Sequence, residues 1–220
     1  RDESLITLRP EGTAGVVRSY IEHSMYAKSP VAKLYYSGMM FRHERPQKGR
    51  YRGFYQIGAE LLGPEEPNAD AELITMLMDF FWKVELTKEL KLEIRSLGDA
   101  ACRAAHREKL LEYFRPREDK LCEDCRRRLA SNPLRVLDCK NPGCKGIADD
   151  APSMLDNLCV GCAEHFVEVK RSLESTGIPF SVNPAIVRGL DYYTRTVFEV
   201  TTDRLGAQSA VAAGGRYDGL

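Results

Sequence analysis

Arg188-Gly189-Leu190-Asp191-Tyr192-Tyr193-Thr194 sets a cation, a tight glycine and two phenols within a few residues, ahead of a strand-like Thr196-Val197-Phe198-Glu199-Val200 run. A planar, permanently charged guanidinium can grip a carboxylate or phosphate through two parallel hydrogen bonds. A phenol can donate to or accept from a ring nitrogen. Gln56 and Glu60 form a second polar group, with Gly58 between them. If this stretch is a strand, all three share one face, and the missing side chain at Gly58 opens a floor on which a small ligand can lie. The alternative is an ordinary half-exposed face of an antiparallel sheet. Arg42 is a further candidate for binding an anion; for Arg42 and Arg188 alike the alternative is a surface salt bridge.

The cysteines are an independent signal. Cys122-Glu123-Asp124-Cys125 and Cys159-Val160-Gly161-Cys162 are two CxxC pairs, a spacing that lets each pair meet one tetrahedral Zn2+, and Cys139 and Cys144 lie between them. The preferred ligand set is Cys122, Cys125, Cys159 and Cys162. The alternative is a cysteine-rich helical insertion without metal. Cys102 reads as a packing residue, and His106 and His165 as exposed or structural.

These groups need elements to hold them. Residues 31–44 alternate as a strand, with Tyr36, Gly38, Met40, Arg42 and Glu44 on one face. A turn-rich loop, Arg45 to Gly53, leads to a second strand in which Phe54, Gln56, Gly58 and Glu60 oppose Tyr55, Ile57, Ala59 and Leu61. The expected hairpin has one polar, functional face and one apolar face for packing. Thr13 is an acceptable N-cap for a helix continuing through Val16 and Val17, and Asn68 or Asp70 for a helix with Leu73, Leu77, Phe80, Phe81 and Val84 on its apolar side. Leu90 to Ile94 reads as a strand. From residue 99 to 177 the texture becomes basic and helical, broken by four prolines, and holds all seven cysteines. Strand-like segments return at 180–182, 197–201 and 209–213. The expected organisation is a core in two parts, 1–98 and 178–220, with a helical insertion over 99–177.

With 32 basic and 32 acidic residues in 220, a nucleic-acid partner would have to be held by a local patch. Arg45, Lys48, Arg50 and Arg52 form such a patch, suited to the phosphates of a nucleotide or an RNA end, with a solvated hairpin tip as the alternative. No apolar run approaches the roughly 20 residues of a membrane span, and cysteines in such a chain read as reduced thiols or ligands. A cytoplasmic location is expected. Motifs lying close to both ends suggest a piece of a longer protein.

Arg188 to Thr194 resembles the histidine-binding signature of the histidyl-tRNA synthetase family. Phe41-Arg42-His43-Glu44-Arg45-Pro46 through Phe54-Tyr55-Gln56-Ile57-Gly58-Ala59-Glu60 resembles the strand-loop-strand motif 2 of class II aminoacyl-tRNA synthetases. Arg9-Pro10-Glu11-Gly12-Thr13 and Gly214-Gly215-Arg216-Tyr217-Asp218-Gly219 follow in the family's order, so the resemblance spans the chain. It implies an α+β fold: a class II synthetase-like antiparallel sheet flanked by helices, with a mostly helical, cysteine-rich insertion. It implies activation of L-histidine by ATP with Mg2+, transfer to tRNA(His), and a homodimer. By resemblance Glu11, Gly12 and Thr13 receive the substrate's α-amino group, Gln56 holds its amino-acid end, and Glu60 and Tyr193 take its imidazole, with Tyr192 and Tyr217 lining the pocket. Arg42 binds the α-phosphate and the carboxylate, Arg188 the far side of the α-phosphate, and Glu44 and Arg50 serve ATP. Motif 1, motif 3 and the anticodon-binding domain have no match in the chain, so weak histidine binding and negligible charging are expected of it alone. Zn2+ is not required by the resemblance. Two other readings remain: the regulatory-subunit paralogue of ATP phosphoribosyltransferase, and a nucleic-acid-binding zinc module confined to Cys122–Cys162.

Overall fold

Alternation between 32 and 62 produces an antiparallel pair, β1 (Ala32–Phe41) and β2 (Gly53–Leu62), in a computed structural model that describes residues 6–86, 89–137, 139–186, 192–205 and 209–220. The register sets Tyr36 opposite Gly58, Gly38 opposite Gln56 and Leu34 opposite Glu60. One face carries the buried Met40 and Glu60. The other, expected to pack, is open, with Tyr35, Tyr55 and Ile57 exposed by 85, 78 and 66%. Alternation marks two faces but does not say which of them meets another layer.

β1 also ends sooner than the pattern suggests. Phe41 N donates to Arg9 O, Arg42 N to Arg52 O, and Glu44 N turns back to Arg42 O at 2.9 Å. Arg42 and Glu44 therefore do not share a strand face, because the chain leaves the extended conformation between them.

Two helices pack on β2. In α1 (Thr13–Glu22) the N-cap is Gly12, not Thr13. The capping side chain is Glu11, whose carboxylate accepts from Ala14 N at 3.2 and 3.3 Å. That releases the Thr13 hydroxyl for a tertiary contact. α2 (Pro67–Lys83) begins at Pro67 after Glu66, ahead of the expected caps at Asn68 or Asp70, because proline's fixed φ and missing N–H suit the first helical position. Its buried residues are Ala71, Ile74 and Phe81, while Phe80 and Val84 are exposed.

A four-stranded sheet has the order β4-β3-β5-β6, with β3 at Leu90–Ser96, β4 at Phe180–Val182, β5 at Thr194–Thr202 and β6 at Ala210–Arg216. β3 and β4 are parallel, Leu92 opposite Phe180 and Ile94 opposite Val182. The mixed α+β architecture is the expected one, with β1 and β2 antiparallel; the parallel pair β3–β4 needs a long crossover, which the helical insertion supplies. The insertion comprises α3 (Ala100–Phe114), α4 (Glu123–Ser131), α5 (Pro142–Asp149) and α6 (Val160–Ser175). It has its own core of Leu110, Phe114, Leu121, Leu129 and Val136, into which Cys125 and Cys144 are packed.

The chain divides into two compact units, residues 1–90 with 202–210 and 220, and residues 91–201 with 211–219. These limits differ from the compositional ones after 98 and 177, since the insertion is tied to β5: Arg103 Nη1 donates to Tyr193 O at 2.9 Å, and Arg195 Nη1 lies 3.5 Å from His165 Nδ1. No helix among the described residues is long and apolar enough to cross a membrane.

Candidate functional site

On the inner face of the hairpin the Thr13 hydroxyl donates to Glu60 Oε1 at 2.7 Å. The carboxylate is 7% exposed, so this charge-assisted bond operates with little competition from water. Four residues earlier on the same face of β2, Gln56 Oε1 is buried and has no hydrogen-bond partner among the described residues. An orphaned acceptor of this kind calls for a donor from outside the fold.

The open floor expected over Gly58 is filled. A Cβ there would stand 2.2 Å from Tyr36 Cζ, and one at Gly12 would stand 2.3 Å from Tyr36 Cε2. The two glycines thus form a seat for the Tyr36 ring. Gly38 similarly admits the Arg9 guanidinium, 2.3 Å from where a Cβ would be, and Arg9 Nε donates to Met39 O at 2.8 Å. Sequence reasoning gave Tyr36 and Arg9 no role. The signal for Tyr36 was an aromatic directly across the hairpin from a glycine, which only the register reveals.

Arg42 is exposed, its Nε donating to Pro10 O at 2.8 Å and its Cζ 5.0 Å from the Phe54 ring centre. Those two contacts orient the guanidinium by its stem side. Its Nη atoms, which would grip an anion, have no partner among the described residues. Glu44 and Arg50, separate candidates for ATP in the sequence, are paired at 2.6 Å. The tip between them closes by mutual backbone bonds of Gln47 and Arg50, with Gly49 at φ 77°, a conformation that favours glycine. Arg52 Nε reinforces the turn by donating to Glu44 O at 3.1 Å. Arg45 and Lys48 remain exposed.

In the second unit three phenols gather. The rings of Tyr192 and Tyr193 are 4.8 Å apart, and those of Tyr192 and Tyr217 are 5.8 Å apart and edge-on. Thr194 Oγ1 donates to Asp218 Oδ2 at 2.9 Å, and Arg216 Nη1 holds Asp218 Oδ1 at 3.1 Å. Gly214 and Gly215 let protein approach closely: added Cβ atoms would stand 2.6 Å from Phe198 Cζ and 2.6 Å from Thr196 O. Arg188, with Gly189, Leu190 and Asp191, lies outside the described residues. Just before them Arg95, 3% exposed, donates from Nη1 to Ile186 O at 2.7 Å. Burial lowers its pKa to about 10. Nothing in the pattern of β3 singled this arginine out beforehand.

The cysteines are brought together, but not as expected. Cys122, Cys125, Cys139 and Cys144 have all their sulfurs within 4.8 Å of one another; Cys102, Cys159 and Cys162 form a separate group with a carboxylate oxygen of Asp99. The set Cys122, Cys125, Cys159 and Cys162 is therefore divided. CxxC spacing fixes the turn at each helix start, α4 and α6, and carries no information on which turns meet. The backbone N–H of Cys125 pulls the Cys122 thiol down to about 7, whereas burial pushes Cys162 up to about 12. His106 and His165 are both buried. His106 Nε2 bonds Pro152 O at 2.7 Å, a structural role.

The family model described as histidyl-tRNA synthetase matches residues 2–220. A histidine–tRNA ligase of Geobacter metallireducens is 60% identical over 220 residues, all of this chain and 53% of that protein. One from Desulfitobacterium hafniense is 51% identical over 215 residues, 98% of this chain and 50% of that protein. The apo histidyl-tRNA synthetase of S. aureus superposes with a TM-score of 0.74 at 41% identity, covering 96% of this chain and 50% of its own. An ATP phosphoribosyltransferase regulatory subunit/histidyl-tRNA synthetase from Bacillus halodurans C gives 0.59 at 22% identity, over 96% of this chain and 57% of its own, a likeness of fold alone. The chain spans about half the length of the curated relatives it matches. It belongs to the histidyl-tRNA synthetase family.

Proposed function

We propose that the protein carrying this chain is a histidine–tRNA ligase. It joins the carboxylate of L-histidine to the α-phosphate of ATP, releasing pyrophosphate, and passes the histidyl group from the adenylate to tRNA(His), releasing AMP. The supporting observation is the hairpin face, where a buried Glu60 carboxylate oriented by Thr13 lies four residues along β2 from the orphaned Gln56 Oε1. An ammonium group would satisfy Gln56, and an imidazole N–H would be received by Glu60. An apolar analogue would offer Glu60 no N–H in return for displacing water, which discriminates strongly.

The remaining roles follow the family resemblance. Glu11, Gly12 and Thr13 sit at the α1 start and are assigned to the α-amino group. Arg42 presents Nη atoms with no partner among the described residues and is assigned to the α-phosphate and carboxylate, where it balances charge that grows in the transition state. Glu44 and Arg50 are assigned to ATP, which enters as its Mg2+ complex. Tyr192, Tyr193 and Tyr217 are assigned to the imidazole side, consistent with their mutual packing. Arg188, the homodimer and a cytoplasmic location rest on kinship alone.

Calorimetric titration of the full-length protein with L-histidine tests the assignment. Binding is expected to vanish in Glu60→Gln and for an analogue lacking the ring nitrogens; equal affinity for that analogue would overturn it. Histidine-dependent ATP–pyrophosphate exchange in the same sample separates a ligase from a regulatory subunit, which would bind histidine without exchange.

A further inference from the structure

We propose that Cys122, Cys125, Cys139 and Cys144 hold one structural Zn2+ that fastens the starts of α4 and α5 to the loop between those helices. The four sulfurs all lie within 4.8 Å of one another, and Cys122 Sγ is 3.9 Å from Cys139 Sγ. Tetrahedral zinc with bonds of about 2.3 Å requires sulfurs about 3.8 Å apart. All the cysteines are unpaired, so no disulfide competes for these sulfurs.

The surroundings match what a thiolate site requires. Cys122 N donates to Cys144 Sγ at 3.1 Å, so the backbone of one ligand residue fixes the sulfur of another. Cys122 is the N-cap of α4, and Cys144 lies in the first turn of α5, so two helix starts direct their positive ends toward the sulfurs. Cys125 and Cys144 are buried in the insertion's core, and Cys122 and Cys139 are partly buried against it. A cleft that Cys122 and Cys139 line together with Glu123, Asp124, Arg128 and Lys140 gives a path for the ion. Four protein ligands leave no open position, which makes the site structural and not catalytic.

The other cluster is chemically different. Asp99 is the N-cap of α3, and its Oδ1 accepts from Cys102 N at 2.8 Å, so its carboxylate already has structural work. It also offers three thiols instead of four. It serves as the internal comparison.

The test is alkylation mapping of the wild-type, fully reduced protein purified without added metal, alongside elemental analysis. Zinc is expected, with Cys122, Cys125, Cys139 and Cys144 shielded together and exposed together when a chelator removes one equivalent. Cobalt substitution should give the thiolate charge-transfer and tetrahedral d–d bands of an all-sulfur site. Cys139→Ser and Cys144→Ser should each lose that equivalent, and Cys102→Ser should keep it. Protein that is reduced, folded and zinc-free would overturn the proposal. So would iron in place of zinc, or zinc whose removal unmasks Cys102, Cys159 and Cys162 instead.

Discussion

Thr13 makes the clearest test of a single contact. Replacing it with valine keeps the side-chain shape but leaves buried Glu60 without its 2.7 Å donor. A hydrogen bond to a charged group contributes about 1.5–3 kcal/mol. Thr13→Val should therefore lower stability to urea by that order and raise KM for histidine more than KM for ATP. Equal rises in both would place Thr13 outside the amino-acid site. Gly58 tests the seat of Tyr36. Gly58→Ala puts a Cβ 2.2 Å from the ring, and overpacking of this kind costs about 1–3 kcal/mol. In the Tyr36→Ala background the same change should cost much less, and the double-mutant cycle in urea denaturation measures the coupling. Additive losses would show that the glycine is needed for another reason. The functional residue types could be read from the sequence, since Gln56, Glu60 and Arg42 carry chemistry wherever they lie. What fills the space over a glycine could not, because it depends on the cross-strand partner.

At the scale of elements, periodicity located the strands and helices, and local chemistry decided their ends. Pro67 moved the start of α2 forward, and the capping carboxylate at α1 came from Glu11 instead of Thr13. Which faces meet was not legible, because amphipathic alternation is a property of one segment and packing a property of two. The cysteines show the same limit: each CxxC was visible, but pairing Cys122 and Cys125 with Cys139 and Cys144 required the path of the chain between helices. The start of α3 gives a prediction at this scale. Asp99→Ala removes the acceptor for Cys102 N and should destabilise the protein by about 1 kcal/mol in urea denaturation, while Asp99→Asn, which can still cap, should be nearly silent. An equal loss in both variants would mean that the charge of Asp99 matters more than its cap.

For the whole molecule, kinship was legible because its motifs are strung along the full chain, whereas the division into two units followed contacts that composition does not report. Charge is the property that links this scale to the proposed tRNA partner. With 32 cations balancing 32 anions, the chain as a whole offers little long-range attraction for a polyanion, so the salt dependence of any tRNA contact made by this chain would arise from local patches. In the hairpin loop Arg50 is spent on Glu44, and Arg52 Nε on a carbonyl. Arg45 and Lys48 are exposed and have no partner among the described residues. If both meet tRNA phosphates, removing each should reduce the slope of log affinity against log salt by about 0.7–0.9. Arg45→Ala/Lys48→Ala should then lower the slope for tRNA(His) by about twice that, with histidine affinity and KM for ATP unchanged. A raised KM for ATP at an unaltered slope would assign the loop to the nucleotide, and tRNA phosphates would have to be held by another part of the protein.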